Sequence, residues 1–80
     1  MTLRRALRFI GSCRTRGVII LGVDCCFRVG ERWALDMHGI LDLSGNQGMS
    51  VDASCDHATR FIREYADRDG YRFIVVADDV

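Results

Sequence analysis

Apolar positions recur at helical spacing most clearly in the second half of the chain. Val51, Cys55, Ala58, Ile62 and Tyr65 follow one another at intervals of four, three, four and three, with Phe61 and Ala66 widening the stripe. This is the ~3.6-residue period of a helix that buries one face. Ser50 or Asp52 can cap its start by accepting from first-turn N–H groups. Asp52 and Asp56 add negative charge at the positive end of the helix dipole. The outward face carries two acid-before-base pairs one turn apart, Asp56/Arg60 and Glu64/Arg68. Gly70 is the expected stop, although Asp67 and Asp69 lie at the unfavourable end of the dipole. The following stretch, Tyr71 to Ala77, is apolar on both faces, with Phe73 and Val75 against Ile74 and Val76. Such a strand belongs inside a sheet or on an oligomer contact.

Upstream the period is two. Ile19, Leu21, Val23, Cys25, Phe27 and Val29 alternate with smaller or polar positions, and so do Trp33, Leu35, Met37, Leu41 and Leu43. If both odd-numbered sets share the core face, the antiparallel register must match odd with odd. A three-residue loop, Gly30 to Arg32, satisfies this: Val29 pairs with Trp33, Phe27 with Leu35, Cys25 with Met37 and Leu21 with Leu41. Asp24 then lies across from His38 on the other face, beside Asp36, Asp42, Ile20, Ala34 and Ile40. Residues 2–13 fit two templates. Leu3, Ala6, Leu7 and Ile10 suit a helix, but Arg4 and Arg5 oppose a helix N-terminus. Leu7, Phe9 and Ile10 beside Gly11 suit a strand, which is slightly favoured. Residues 44–50 (SGNQGMS) form a connection rich in glycine and small polar side chains. The predicted fold is α+β: a small antiparallel sheet in the order β-β-β-α-β, the first element strand or helix, with one amphipathic helix on one face.

Eighty residues form one domain, 1–80. A chain this short buries only about 60% of its unfolded surface, so dimerisation or a bound partner would add to its stability. Both monomer and homodimer are compatible with the pattern. No segment approaches the ~20 apolar residues of a membrane span. The Val18–Val23 run is too short for a signal-peptide core, so the expected location is cytoplasmic, in the host cell if the gene is phage-borne.

Net charge is zero but unevenly spread. Residues 1–32 hold seven Arg against two acids, and residues 33–80 hold four Arg against nine acids. Either the two halves neutralise each other or the surface is polarised towards a charged partner. Arg4, Arg5, Arg8, Arg14 and Arg16 form an acid-free segment of the kind that contacts phosphates. Phe9 is the single aromatic among them, so a base-stacking platform lacks support.

Catalytic chemistry finds little foothold. Cys13, Cys25, Cys26 and Cys55 lack C-x-x-C spacing, and Cys25 and Cys26 point to opposite faces of a strand. A zinc site using Cys55, His57 and Cys25 or Cys26 is disfavoured, because residues two apart on a helix do not converge. A Cys/His nucleophile would need Cys55 or Cys26 beside His38 or His57 with an orienting acid such as Asp24 or Asp36. A cross-strand ion pair explains Asp24 and His38 more simply. No glycine pattern has the strand–loop–helix order of a phosphate cradle. No metal, cofactor or catalytic residue is therefore assigned.

A small orphan α+β domain with no catalytic constellation and an acidic helix and tail resembles the small inhibitors of phages and mobile elements, anti-CRISPR proteins among them. The likeness covers the whole chain and rests on size and build, not on a motif. It implies a non-enzymatic inhibitor that docks on a larger protein or nucleoprotein complex, blocking it sterically or occupying its nucleic-acid groove. The expected contact surface is acidic: Asp36, Asp42, Asp52, Asp56, Glu64 and Asp67. The alternative is a small nucleic-acid-binding protein using the Arg-rich segment.

Overall fold

The apolar spacing at the start of the chain resolves as a helix, not a strand. In the computed structural model, which describes residues 1–45, 48–65 and 70–78, α1 spans Leu3–Arg16 and buries Ala6, Ile10 and Cys13. Thr2 is its N-cap, with Oγ1 accepting from the Arg5 N–H at 3.3 Å. Gly17, at φ +72°, takes the left-handed position that closes it. Arg4 and Arg5 do oppose the dipole, at about 0.3–1 kcal/mol each. Burying Ile10 alone contributes ~1.5–3 kcal/mol, so the packing term wins. Arg14 and Arg16 in the last turn favour the same outcome.

The full order is α1, β1 (Ile20–Val29), β2 (Arg32–Asp42), α2 (Val51–Glu64) and β3 (Arg72–Ala77). The expected β-β-β-α-β order with a single helix is thus corrected to α-β-β-α-β with two. α2 begins as its pattern requires: Ser50 is the N-cap, its Oγ accepting from the Ala53 N–H at 3.0 Å. It ends at Tyr65, not at Gly70. Asp67, the Glu64/Arg68 pair and the last acidic residue, Asp79, involve positions outside the described residues. Among the described residues, no helix is long and apolar enough to cross a membrane.

The three strands are antiparallel in the order β2-β1-β3, so β3 is an edge strand and not the interior strand its composition suggested. Its outer side is partly occupied. The Phe73 N–H donates to the Met1 carbonyl at 2.7 Å, and the Met1 ammonium donates back to the Phe73 carbonyl. Both helices lie on one face of the sheet, where Ala6, Ile10, Cys13, Ile20, Val23, Cys25, Cys55, Ala58, Ile62 and Phe73 form the core. Ser54 is the one buried polar side chain named with them, and its hydroxyl is satisfied twice. It accepts from the Ile20 N–H at 3.1 Å and donates to the Val51 carbonyl at 2.8 Å, tying α2 to the start of β1.

The β1–β2 register corrects the expected hairpin. The turn has two residues, Gly30 and Glu31, and Val29 lies opposite Arg32. Gly30, at φ +62°, takes the first central position, where glycine's freedom permits the twist that tight hairpins prefer. Phe27 therefore faces Ala34, and Cys26 faces Leu35. Further along, Asp24 faces Ile40 and Val23 faces Leu41, so residues 36–39 of β2 bulge out against Cys25. The bulge reverses which parity faces the helices. Leu41 packs against the core, whereas Trp33 and Leu35 lie on the opposite side, each half exposed. Ile20 is buried on the helix side, not displayed, and Asp24 stands across from Ile40 and not from His38.

The bulge is held from the helix side. The Tyr65 hydroxyl donates to the His38 carbonyl at 2.9 Å, and the Tyr71 hydroxyl donates to Asp36 Oδ2 at 2.8 Å. Asp36 Oδ1 accepts from the His38 N–H at 2.9 Å. Ring contacts continue from Phe61 through Tyr65 and Tyr71 to Phe27, with centroids 5.2, 5.7 and 6.0 Å apart.

Candidate interaction surface

Because both helices cover the same face, the other face of the sheet is left open. Cross-strand pairing sets out its rows: Trp33 beside Arg28; Leu35, Cys26 and Arg72; Ile40, Asp24 and Ile74; Asp42, Gly22 and Val76. Trp33, Leu35, Ile40, Ile74 and Val76 each keep between 43% and 50% of their surface exposed. Single exposed apolar residues are ordinary, but five large ones on adjoining rows form a patch of the kind that marks an interaction site. Cys26 lies beneath them, only 7% exposed. The charges are ordered along the strands. Arg28 and Arg72 stand towards the hairpin, Asp24 and Asp42 towards the opposite end. The Arg72 guanidinium lies 5.8 Å from the centre of the Trp33 ring, in cation–π range.

Among the described residues, the acids expected to form a contact surface are divided between the sheet (Asp36, Asp42) and the surface of α2 (Asp52, Asp56, Glu64). Asp42 is on the open face, where hydrogen bonds from the Ser44 hydroxyl and N–H hold its carboxyl below the usual range. Asp36 is turned to Tyr71 on the helix side. Asp52 and Asp56 both bind Arg14, at 2.8 and 2.7 Å, so Asp56 pairs with α1 and not with Arg60 as the i,i+4 spacing suggested. Glu64 is exposed at the end of α2, and Asp67 lies outside the described residues.

The basic segment is likewise divided. Arg14 is committed to Asp52 and Asp56, whose hydrogen bonds raise its pKa further. Arg4, Arg5 and Arg8 are exposed on α1, and Arg16 closes the helix. Opposite signs thus meet between the two helices, where Arg14 offsets one of the two negative charges of Asp52 and Asp56.

The cysteines serve packing. All four are buried and unoxidised. Removal from water pushes the Cys55 thiol up from its ordinary value, and its Sγ faces the Ile10 carbonyl at 3.8 Å. His57 is exposed on the same helix, so the Cys55/His57 pair does not share a site. Among the described residues, no three His, Cys, Asp or Glu side chains are grouped as metal ligands.

The open apolar face was not foreseen from the sequence, because its key members, Trp33 and Leu35, carry the parity of the expected core. The available signal was the tight Gly30-Glu31 turn, which sets them on the outside once Val29 is placed opposite Arg32. No protein-family model and no curated protein matches the sequence.

Proposed function

We propose that the protein is a non-enzymatic binding protein that docks through the open face of its sheet onto a larger protein or nucleoprotein complex. Inhibition by covering a surface, in the manner of the small phage and mobile-element inhibitors it resembles, is the mode of action most in keeping with its size. The observation that carries this reading is the row of half-exposed Trp33, Leu35, Ile40, Ile74 and Val76. Trp33 and Arg72 in contact supply the residue types that dominate protein interfaces. The complementary partner surface has an apolar centre, acidic groups facing Arg28 and Arg72, and basic groups facing Asp24 and Asp42. The acidic contact expected from the sequence reduces on this face to Asp42, joined by Asp24.

A photo-crosslinker at position 35 tests the proposal, with one at position 12 on α1 as control. The expected result is a partner captured from position 35 alone, whose purified form binds the wild type and loses affinity with Ile74→Lys. Equal capture from both positions, or self-association that covers the face, overturns it. The alternative, nucleic-acid binding, draws on Arg4, Arg5 and Arg8 side by side on a helix whose first turn holds no acid. It requires salt-sensitive binding to DNA or RNA that is lost when these three become Ala.

A further inference from the structure

At the edge of the open face, between the start of α1 and β3, lies a groove of about 400 Å³. Its lining is mainly apolar: Met1, Cys26, Trp33 and Ile74 border it, and Phe73, whose ring is buried in the core, adds little beyond its backbone. Arg5 and Arg72 stand at its rim, and among the described residues no acidic side chain lines it. The two ion pairs recorded among the described residues both belong to Arg14, so neither rim guanidinium is matched to a carboxylate. Arg72 is positioned by other means: it donates to the Tyr71 carbonyl at 2.9 Å and lies over Trp33.

We propose that this groove binds an amphiphilic carboxylate, with the apolar body along Trp33, Ile74 and Met1 and the carboxylate between Arg5 and Arg72. Three features select that chemistry. The volume lies within the ~300–1,000 Å³ of small-molecule sites. The surface inside is mainly apolar, so a small inorganic anion would leave most of it unfilled. The charge at the rim is of one sign, and guanidinium groups bind carboxylates by paired, charge-assisted hydrogen bonds. A cationic or neutral amphiphile of the same length gains the apolar contact but not this one. The groove shares Trp33, Ile74 and Arg72 with the docking face, but ligand binding is read on the isolated protein, so the failure of one reading is distinguishable from the failure of the other.

Trp33 is the only tryptophan in the chain, so its emission reports on the groove directly. Decanoate, decanol and decylammonium are titrated below their aggregation limits, with equilibrium dialysis of labelled decanoate as a second readout. The expected result is saturable decanoate binding, stronger than for either control and weaker at high salt. Arg72→Gln and Arg5→Gln, each verified as folded by circular dichroism, should each weaken decanoate about tenfold and leave decanol unchanged. A leucine-terminated peptide, offered as free acid and as amide, separates a chain-end carboxylate from a free fatty acid as the source. Decanol or decylammonium bound as tightly as decanoate, or tighter, overturns the proposal, as does the absence of saturable decanoate binding by both readouts.

Discussion

Gly39→Ala is the sharpest test of the bulge that exposes Trp33 and Leu35. A Cβ at position 39 would stand 2.7 Å from Cys25 Cβ and 3.3 Å from both Asp36 Cβ and Cys25 Sγ. Gly39 is not among the positive-φ glycines, so backbone strain does not enter. Overpacking of this kind costs about 1–3 kcal/mol. Restricting the unfolded chain returns about 0.4–1 kcal/mol; because the 2.7 Å approach to Cys25 Cβ places the overpacking in the upper part of its range, the net loss is about 1–2.6 kcal/mol. For a domain of this size that lowers Tm by roughly 5–15 °C. Gly11→Ala is the matched control: it lies inside α1 with nothing within 4 Å of the added Cβ. It should stabilise by about 0.5–1 kcal/mol through helix propensity. Because the closest contact is with a Cβ that alanine retains, Cys25→Ala should not relieve Gly39→Ala, whereas a Cys25→Gly background should reduce its cost. Thermal and urea unfolding followed by circular dichroism measure all of these. A Gly39→Ala protein within about 0.5 kcal/mol of wild type, or one fully relieved by Cys25→Ala, would refute the close approach of residues 36–39 to β1.

Other outcomes follow from single contacts. Ser54→Ala removes the acceptor of the buried Ile20 N–H and should cost about 1–3 kcal/mol in urea unfolding, more than an exposed Ser12→Ala. Arg14→Ala breaks two exposed ion pairs, so its effect on urea unfolding should be smaller than that of Ser54→Ala and shrink further in high salt. Asp42 should titrate below its ordinary value of 3.8 by NMR and move upward in Ser44→Ala. As its folded pKa is lowered, its contribution is present above that ordinary value and disappears as pH falls through the folded one. For Cys55 the sign is opposite. The folded state keeps the proton longer, so stability should decline as pH rises above the ordinary thiol value of 9.0, and Cys55→Ala should remove that part of the decline.

Where a sequence signal was redundant, the fold was legible. α2 announces itself through the Ser50 cap and the stripe from Val51 to Ile62 together, and an antiparallel β1–β2 pair follows from two alternating runs around a glycine. Alternation, however, specifies only that neighbouring side chains point apart. It carries no mark of which face meets the core, nor of a phase change within the strand. Met37 and His38 look like ordinary members of β2, yet they belong to the bulge, and everything before them changes sides. At the start of the chain, the charges of Arg4 and Arg5 argued against a helix that Ala6, Ile10 and Cys13 secure through tertiary burial. The acidic surface was illegible for a related reason: sequence spacing pairs Asp56 with Arg60, while Arg14 approaches from a different helix. The groove at Arg5 and Arg72 joins the first turn of the chain to its last strand, so no local motif could display it.

The central place of β1 has a consequence for how the chain reaches its native state. β1 is synthesised before both of its neighbours, and one of them, β3, follows only after β2 and α2. During that interval β1 carries an unpaired backbone edge. Completion depends on distant segments meeting, with Met1 against Phe73 as the longest closure. This topology favours a slow final step over an early one. In the nascent chain, that waiting edge is the point at which a chaperone or a second unfinished copy would first take hold.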